Sequence, residues 1–324
     1  MNIALIKSFT DKPWRSPETF QMIEDSLREQ WCVDSITTEN PEILTSFLSG
    51  LKRAYGDNIF VFNIAEYLDE NNKTGFLPAL LEELFLPHLG SSAEATEIGL
   101  DKARAKELLE KYQIPTSRYF VASMENLDEE YPAEMIGYPL IVKPIHEGGH
   151  IGIYEDSIVY DDASLHKAIQ RIFDEHHQPA IVEEYIDGKG MREFSVGVIE
   201  GEPRLFTPIE IDYKSMGVDT SILSYEATQN DLERIKPVQD KKTRDELIDL
   251  AERTFDALCV HDYCRIDIRM NNTGFYLLEI NTMPGLGPHS FLPEAANDIY
   301  GIEYKQLIQT LVVVSWERQK PGGS

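Results

Sequence analysis

Apolar positions along the chain follow two different periods, and the change between them divides it. Ile3 to Ile6 is a short unbroken apolar run, which predicts a buried strand. Ser16 then offers an N-cap with Pro17 at the first helical position, and Phe20, Ile23, Leu27 and Trp31 recur at helical spacing. A second buried run, from Ile59 to Asn63, leads through a polar stretch ending at Glu66 to a helix predicted near Leu77 to Leu84. Strands alternating with helices over the first hundred residues predict a doubly wound parallel α/β domain, with any ligand at the carboxyl edge of its strands.

From about Leu100 the texture shifts. A charged helix is predicted from Asp101 to Tyr112, closed by Ile114-Pro115, then strands at 119–122, 140–143 and 180–186. Strand patterns follow at 193–199, 204–211, 263–270 and 275–280, interrupted by a helix carrying Ile248, Ala251, Phe255 and Leu258. A last helix uses Tyr304, Leu307, Leu311 and Val314. The class is therefore α/β followed by α+β.

Charge narrows the functions open to this fold. Thirty Lys and Arg stand against 56 Asp and Glu in 324 residues, a formal net charge of −26. Such a field repels nucleic acid and anionic membranes, so any polyanionic ligand must be met by local cations or a metal. No apolar run reaches the length of a signal-peptide core or a membrane span, and a cytoplasmic protein is expected. Three widely spaced cysteines make no disulfide framework. Cys259 and Cys264, with His261 between them, read as buried thiols around a strand start, because no partner pair lies nearby to complete a zinc site.

The stretch from Cys264 to Asn281 carries the most chemistry. Side chains alternate faces along a strand, which puts Arg265, Asp267 and Arg269 on one face and Leu277, Glu279 and Asn281 on one face. A three-residue turn at Asn272-Thr273-Gly274 pairs residue 271 with 275, and counting outward sets Asp267 opposite Glu279 and Arg265 opposite Asn281. Two carboxylates and an amide oxygen suit Mg²⁺ bound through few protein ligands plus phosphate oxygens. An ordinary cross-strand ion pair is the competing reading. Directly after the hairpin, the glycine-rich run from Thr282 to Ser290 offers backbone N–H groups to an oxyanion.

Cations able to answer the charge problem lie upstream. Lys143 ends a predicted buried strand and is followed by the flexible loop Glu147-Gly148-Gly149-His150, able to fold over phosphates, while Lys102 starts a helix. The strand ending in Glu183-Glu184-Tyr185-Ile186 could hold an adenine amino group through its backbone and Glu183, and Glu193 could take ribose hydroxyls.

In this order the chain resembles the ATP-grasp carboxylate–amine ligases of the D-alanine–D-alanine ligase type. The matching strings are Leu86 to Ser91, Leu100 to Lys106, Gly137 to Pro144, Val182 to Tyr185, Arg265 to Asp267, and Leu278 to Gly285 with His289-Ser290. Phe62-Asn63-Ile64-Ala65-Glu66 resembles a branch of ligase-like proteins that carries this string where peptidoglycan enzymes have His-Gly. The resemblance implies an ATP-grasp fold in three parts, residues 1–98, 99–184 and 185–324, with ATP between the last two. It assigns Lys102 and Lys143 to phosphates, Glu183, Glu184 and Ile186 to adenine, Glu193 to ribose and Leu278 to packing under the base. Asp267, Glu279 and Asn281 would hold two Mg²⁺ ions, or Mn²⁺. Arg265 and the Gly285 backbone would steady the tetrahedral intermediate, and Ser290, with Asn63 and Glu66, would meet the substrates. A homodimer acting on small-molecule carboxylate and amine substrates is also implied.

Departures cluster where the amino acids would bind. Ser8 to Trp14 replaces the family's Gly-Gly turn and Ser-x-Glu string, Gly149-His150 replaces Ser-Ser, and Thr228 stands where a phosphate-touching lysine belongs. His150 could donate to the transferred phosphoryl group in place of the lost residues or be an exposed loop histidine, and Lys214 could restore the charge or be a solvated loop lysine. The expectation is an amide-forming ligase whose substrates are not two D-alanines. The alternative is a catalytically silent ATP-grasp nucleotide-binding protein acting as sensor or partner; retained Arg265 argues for chemistry, Thr228 against it.

Overall fold

The computed structural model describes residues 1–7, 15–64, 76–126, 131–216 and 234–320. Its first part comprises β1 (Asn2–Lys7), α1 (Pro17–Arg28), β2 (Cys32–Thr37), α2 (Pro41–Tyr55), β3 (Ile59–Asn63) and α3 (Phe76–Glu83). The strands are parallel in the order β2-β1-β3. Ser16 caps α1 by accepting from the Thr19 N–H, and Phe20, Ile23 and Leu27 are buried as the spacing predicts, while Trp31 falls beyond the helix end. The periodicity passed over β2 and α2, since each buries few apolar side chains, Val33 in one and Leu44 and Leu48 in the other. Because the chain leaves β1 for one neighbour and returns from β2 to the other, the crossover lies between the carboxyl ends of β1 and β3, at Lys7 and Asn63.

The middle part adds α4 (Ala93–Leu100), α5 (Lys102–Lys111), β4 (Tyr119–Ala122), α6 (Ala133–Ile136), β5 (Leu140–Pro144), β6 (Ile158–Val159), α7 (Asp162–His176) and β7 (Ala180–Glu184). An antiparallel sheet runs β4-β7-β5-β6, with Leu165, Ile169 and Phe173 of α7 buried in one core with Leu140, Val142 and Val182. The last part holds β8 (Arg192–Ile199), β9 (Leu205–Ile211), α8 (Tyr213–Met216), β10 (Ile235–Pro237), α9 (Lys241–Ala257), β11 (Tyr263–Asn271), β12 (Gly274–Asn281), α10 (Phe291–Tyr300) and α11 (Tyr304–Gln319). Its antiparallel sheet runs β10-β9-β8-β11-β12. A Cβ on Gly197 of β8 would lie 2.4 Å from a Leu292 methyl, so glycine there sets how closely α10 approaches the sheet.

The chain closes on its own beginning. Leu307 and Leu311 of α11 share a core with Phe20 and Leu27 of α1, and Met283 and Leu286 of the glycine-rich run enter the same core beside Phe60, Phe62 and Ile64. The loop after the hairpin is thereby seated on the first sheet. On α9 the core face is Leu247, Leu250, Ala251 and Phe255 rather than one through Ile248, and on α11 Val314 is only half-buried. Cys259 is exposed, which corrects its expected burial, whereas Cys264 is buried. Among the described residues no helix is long and apolar enough to cross a membrane.

One ion pair in the first part gives a pH prediction. Burial pushes the Glu24 carboxyl upward, but Lys7 and Arg28, the latter at 2.6 Å, outweigh it and hold the group below its ordinary value of 4.5. A depressed carboxylate contributes stability above its unfolded pKa and loses it as pH falls through the folded value. The urea midpoint should therefore decline below about pH 4.5 more steeply in the wild type than in Glu24→Gln. Equal slopes would remove Glu24 from that role.

Candidate active site

The β11–β12 hairpin sets Asp267 opposite Glu279 and Arg265 opposite Asn281, as the count predicts, but by a different route. Asn271 pairs with Gly274, so the turn has two residues rather than three. A bulge between Asp267 and Ile268 then shifts the partners by one, because Ile268 faces Leu277 and Leu278 is the extra residue. This also corrects the faces: Leu277 is buried in the core, while Leu278 lines the cleft beside Glu279.

A cleft of about 560 Å³ opens between the middle and last sheets. Nine predicted site residues line it: Lys143, His150, Glu183, Glu184, Ile186, Glu193, Asp267, Leu278 and Glu279. A neighbouring recess of about 380 Å³ is lined by Lys102, Glu147, Gly148 and Asn281, and Glu279 is common to both. Lys102 is buried rather than solvated. Its ammonium donates to the Glu147 carbonyl and stands 3.8 Å from Glu279, and burial pushes its pKa down. Burial raises the Glu279 pKa, but Lys102, Lys143, His150 and Arg265 outweigh it, so this carboxyl stays ionised below its usual range.

The donor set fits a hard divalent cation in kind: two carboxylates on paired strands and one amide, all oxygen donors. Arg265 grips both Asp267 oxygens, with Nε at 3.0 and 3.2 Å and Nη2 at 2.8 Å, and the Ser195 hydroxyl donates to the same carboxylate. The Asn281 Oδ1 accepts from the Met283 N–H at 3.1 Å, which fixes the start of the glycine-rich run. Among the described residues no group of three or more His, Cys, Asp and Glu gathers to hold a metal, so the amide is needed to make three.

Known proteins resemble this chain in sequence and fold. The sequence profile described as D-ala D-ala ligase C-terminus covers residues 108–313. A D-alanine–D-alanine ligase of Pseudomonas putida GB-1 is 30% identical over 292 residues, spanning 87% of this chain and 86% of its own. The chain belongs to the D-alanine–D-alanine ligase family. D-alanine–D-alanine ligase B of Pseudomonas putida KT2440 is 34% identical over 245 residues, 74% of this chain and 72% of its own. The structure of a Bacillus anthracis D-alanine–D-alanine ligase complexed with ATP superimposes with a TM-score of 0.77, over 99% of both chains at 22% identity, which shows the ATP-grasp fold.

Within this ATP-grasp ligase, three groups in or behind the cleft wall carry roles that the sequence alone does not reveal. Arg269 donates from Nε to Glu193 at 2.7 Å, lies 4.8 Å from the Tyr185 ring, and reaches the Ile186 carbonyl at 3.4 Å. Tyr213 donates to the same Glu193 oxygen at 2.9 Å. Lys106 is buried against Glu183. Strand alternation places Arg269 on the Asp267 face, but its partner comes from a strand far back in the chain, which no local pattern reveals. The loop after β5 turns sharply: Gly149, His150 and Gly152 have φ of 60°, 61° and 75°, and a Cβ on Gly152 would meet Pro144 at 2.3 Å.

The residues expected to meet the substrates are less gathered. Ser290 is the N-cap of α10, makes no side-chain cap bond, and precedes Phe291, whose ring lies 5.5 Å from the Arg265 guanidinium. Gly285 is half-buried in the run between Met283 and Leu286, and lines neither recess. Asn63 is buried at the end of β3 and lines neither recess. Lys214 is exposed. Glu66 and Thr228 lie outside the described residues.

Proposed function

We propose that this ATP-dependent ligase joins a small carboxylate substrate to an amine through an acyl phosphate, with substrates other than two D-alanines. The observation that carries the reading is the clustering of Lys102, Lys143, Arg265, Asp267, Glu279 and Asn281 around two adjoining recesses. The base would lie by Ile186 and Leu278 and the ribose by Glu193, which directs the phosphates toward Lys143 and Lys102. Mg²⁺ held by Asp267, Glu279 and Asn281 would supply neutralisation of phosphate charge.

A carboxylate acylates poorly because its leaving group would be oxide. One carboxylate oxygen attacks the γ-phosphorus and ADP departs. The amine nitrogen then attacks the acyl carbon, phosphate leaves with that oxygen, and the nitrogen loses a proton. The chain's own groups position the reactants and meet developing negative charge, with Arg265 at the acyl oxygens and Lys102 and Lys143 at the phosphates. The loop bearing His150, held by the Lys102–Glu147 contact, would keep water from the acyl phosphate.

The substrate side of the proposal rests on Ser8 to Trp14 and Thr228, which depart from the family where amino acids bind. ADP release with Mg-ATP should rise with particular pools of amino acids of both hands, amines or small acids, and mass spectrometry should find an amide product other than D-alanyl-D-alanine. A folded, ATP-binding protein that releases no substrate-dependent ADP would sink the ligase reading.

A further inference from the structure

Lys106 sits on the inner side of α5, 1% exposed, outside the cleft lining, and the chemistry above leaves it unused. Its ammonium has three donors and finds three acceptors: Thr116 Oγ1 at 2.7 Å, Ser117 Oγ at 2.9 Å and Glu183 Oε2 at 2.9 Å. The frame around it is fixed from both sheets. Thr116 donates to the Leu277 carbonyl on β12 at 2.8 Å, and Ser117 donates to Glu183 at 2.7 Å. The other Glu183 oxygen holds Lys143, which does line the cleft. One buried carboxylate is thus shared by two buried ammoniums, one behind the wall and one in it.

The charge count around the cleft gives this sharing a consequence. Among the described residues, other cations at or near the cleft each lie against a carboxylate: Lys102 against Glu279, Arg265 against Asp267, Arg269 against Glu193 and Arg118 against Glu184. A Lys143–Glu183 pair alone would likewise be neutral and would offer a phosphate little. Lys106 makes that group carry a net charge of +1, in a place where burial weakens screening. A chain of formal charge −26 otherwise disfavours a polyanionic ligand.

We propose that Lys106 is a positioning residue that neutralises Glu183 from behind, so that the Lys143 ammonium meets a nucleotide phosphate as an uncompensated cation. The inference rests on the ATP-binding reading of the cleft and adds to it a residue that touches no ligand.

Binding of a non-hydrolysable ATP analogue with Mg²⁺, and of adenosine, is measured by calorimetry on the full chain, with thermal melting alongside. Lys106→Met should weaken the ATP analogue about tenfold or more and leave adenosine unchanged, since only the phosphates read the lost charge. Lys106→Arg should keep most of the affinity by keeping the charge. The decisive arm is a double-mutant cycle. Glu183→Gln removes the carboxylate that Lys106 offsets, so Lys106→Met with Glu183→Gln returns the group to a net charge of +1 and should restore the preference for the ATP analogue over adenosine to within about threefold of the wild type. This comparison also serves if the single Lys106→Met chain melts early, because the double variant no longer buries an unmatched carboxylate. A double variant whose preference for the ATP analogue falls well short of the wild type's, or equal losses for adenosine and the ATP analogue in Lys106→Met, would overturn the proposal. Absence of ATP-analogue binding by the wild type would overturn the nucleotide reading itself, and this inference with it; wild-type binding with unaltered Lys106→Met affinity overturns the inference alone.

Discussion

Glu279→Gln should lower substrate-dependent ADP release by about a hundredfold to a thousandfold while the chain stays folded. The size follows from where this carboxylate stands. It borders both recesses, pairs across the hairpin with Asp267, and faces Lys102, Lys143, His150 and Arg265. The amide keeps the shape and removes the charge that holds those cations in place and that a hard divalent ion requires. Asp267→Asn should fall similarly, with the further loss of the two-oxygen grip on Arg265. Steady-state ADP release across a range of Mg²⁺ concentrations, with melting curves for each variant, makes the comparison. Turnover unchanged at every Mg²⁺ level would reject the metal assignment.

That hairpin also shows what a sequence can and cannot disclose. The opposed carboxylates were legible because strand alternation and a glycine-bearing turn constrain the count. The route was not, since a two-residue turn and a bulge at Leu278 shift the register in compensating ways. A bulge leaves no mark in a period-two pattern, so Leu277 was assigned the face that Leu278 occupies. Most of the nine cleft residues lie on or just beyond strands, with His150 on a loop, and their order along the chain was enough to gather them. Lys106 was different. On a helix as polar as α5 a lysine reads as solvated, and its burial depends on Ser117 and Glu183, which the fold delivers from other elements. Likewise α2 and β2 form because tertiary packing rewards modest apolar faces, which a local window undercounts.

Asp262→Ala should destabilise the fold by about 3–5 kcal/mol, although the residue lies outside both recesses. Asp262 is fully buried just ahead of β11 and gathers donors from parts of the chain that are far apart. Its Oδ2 accepts from the Gly90 N–H and the Ser315 hydroxyl, both at 2.6 Å, and Arg318 reaches both oxygens at 2.9 and 3.0 Å. Arg318 and Gln319 also hold the carbonyls of Gly90 and His88, at 3.2 and 2.6 Å. The segment after α3, the start of β11 and the end of α11 are therefore tied through one carboxylate. Alanine would take from the guanidinium, the Gly90 N–H and the Ser315 hydroxyl the carboxylate they share, leaving Arg318 the Gly90 carbonyl and Ser315 the His88 carbonyl at 3.0 Å, and the loss exceeds what any single bond of the set is worth. It would also sit poorly at the residue's φ of 63°, which asparagine tolerates. Asp262→Asn should thus lose less than Asp262→Ala, and Ser315→Ala, which removes one donor and leaves the ion pair, least of the three. Urea unfolding of the three variants ranks them. A loss under about 1 kcal/mol for Asp262→Ala would mean that the contact between the first and last parts is carried by the apolar α1–α11 packing instead.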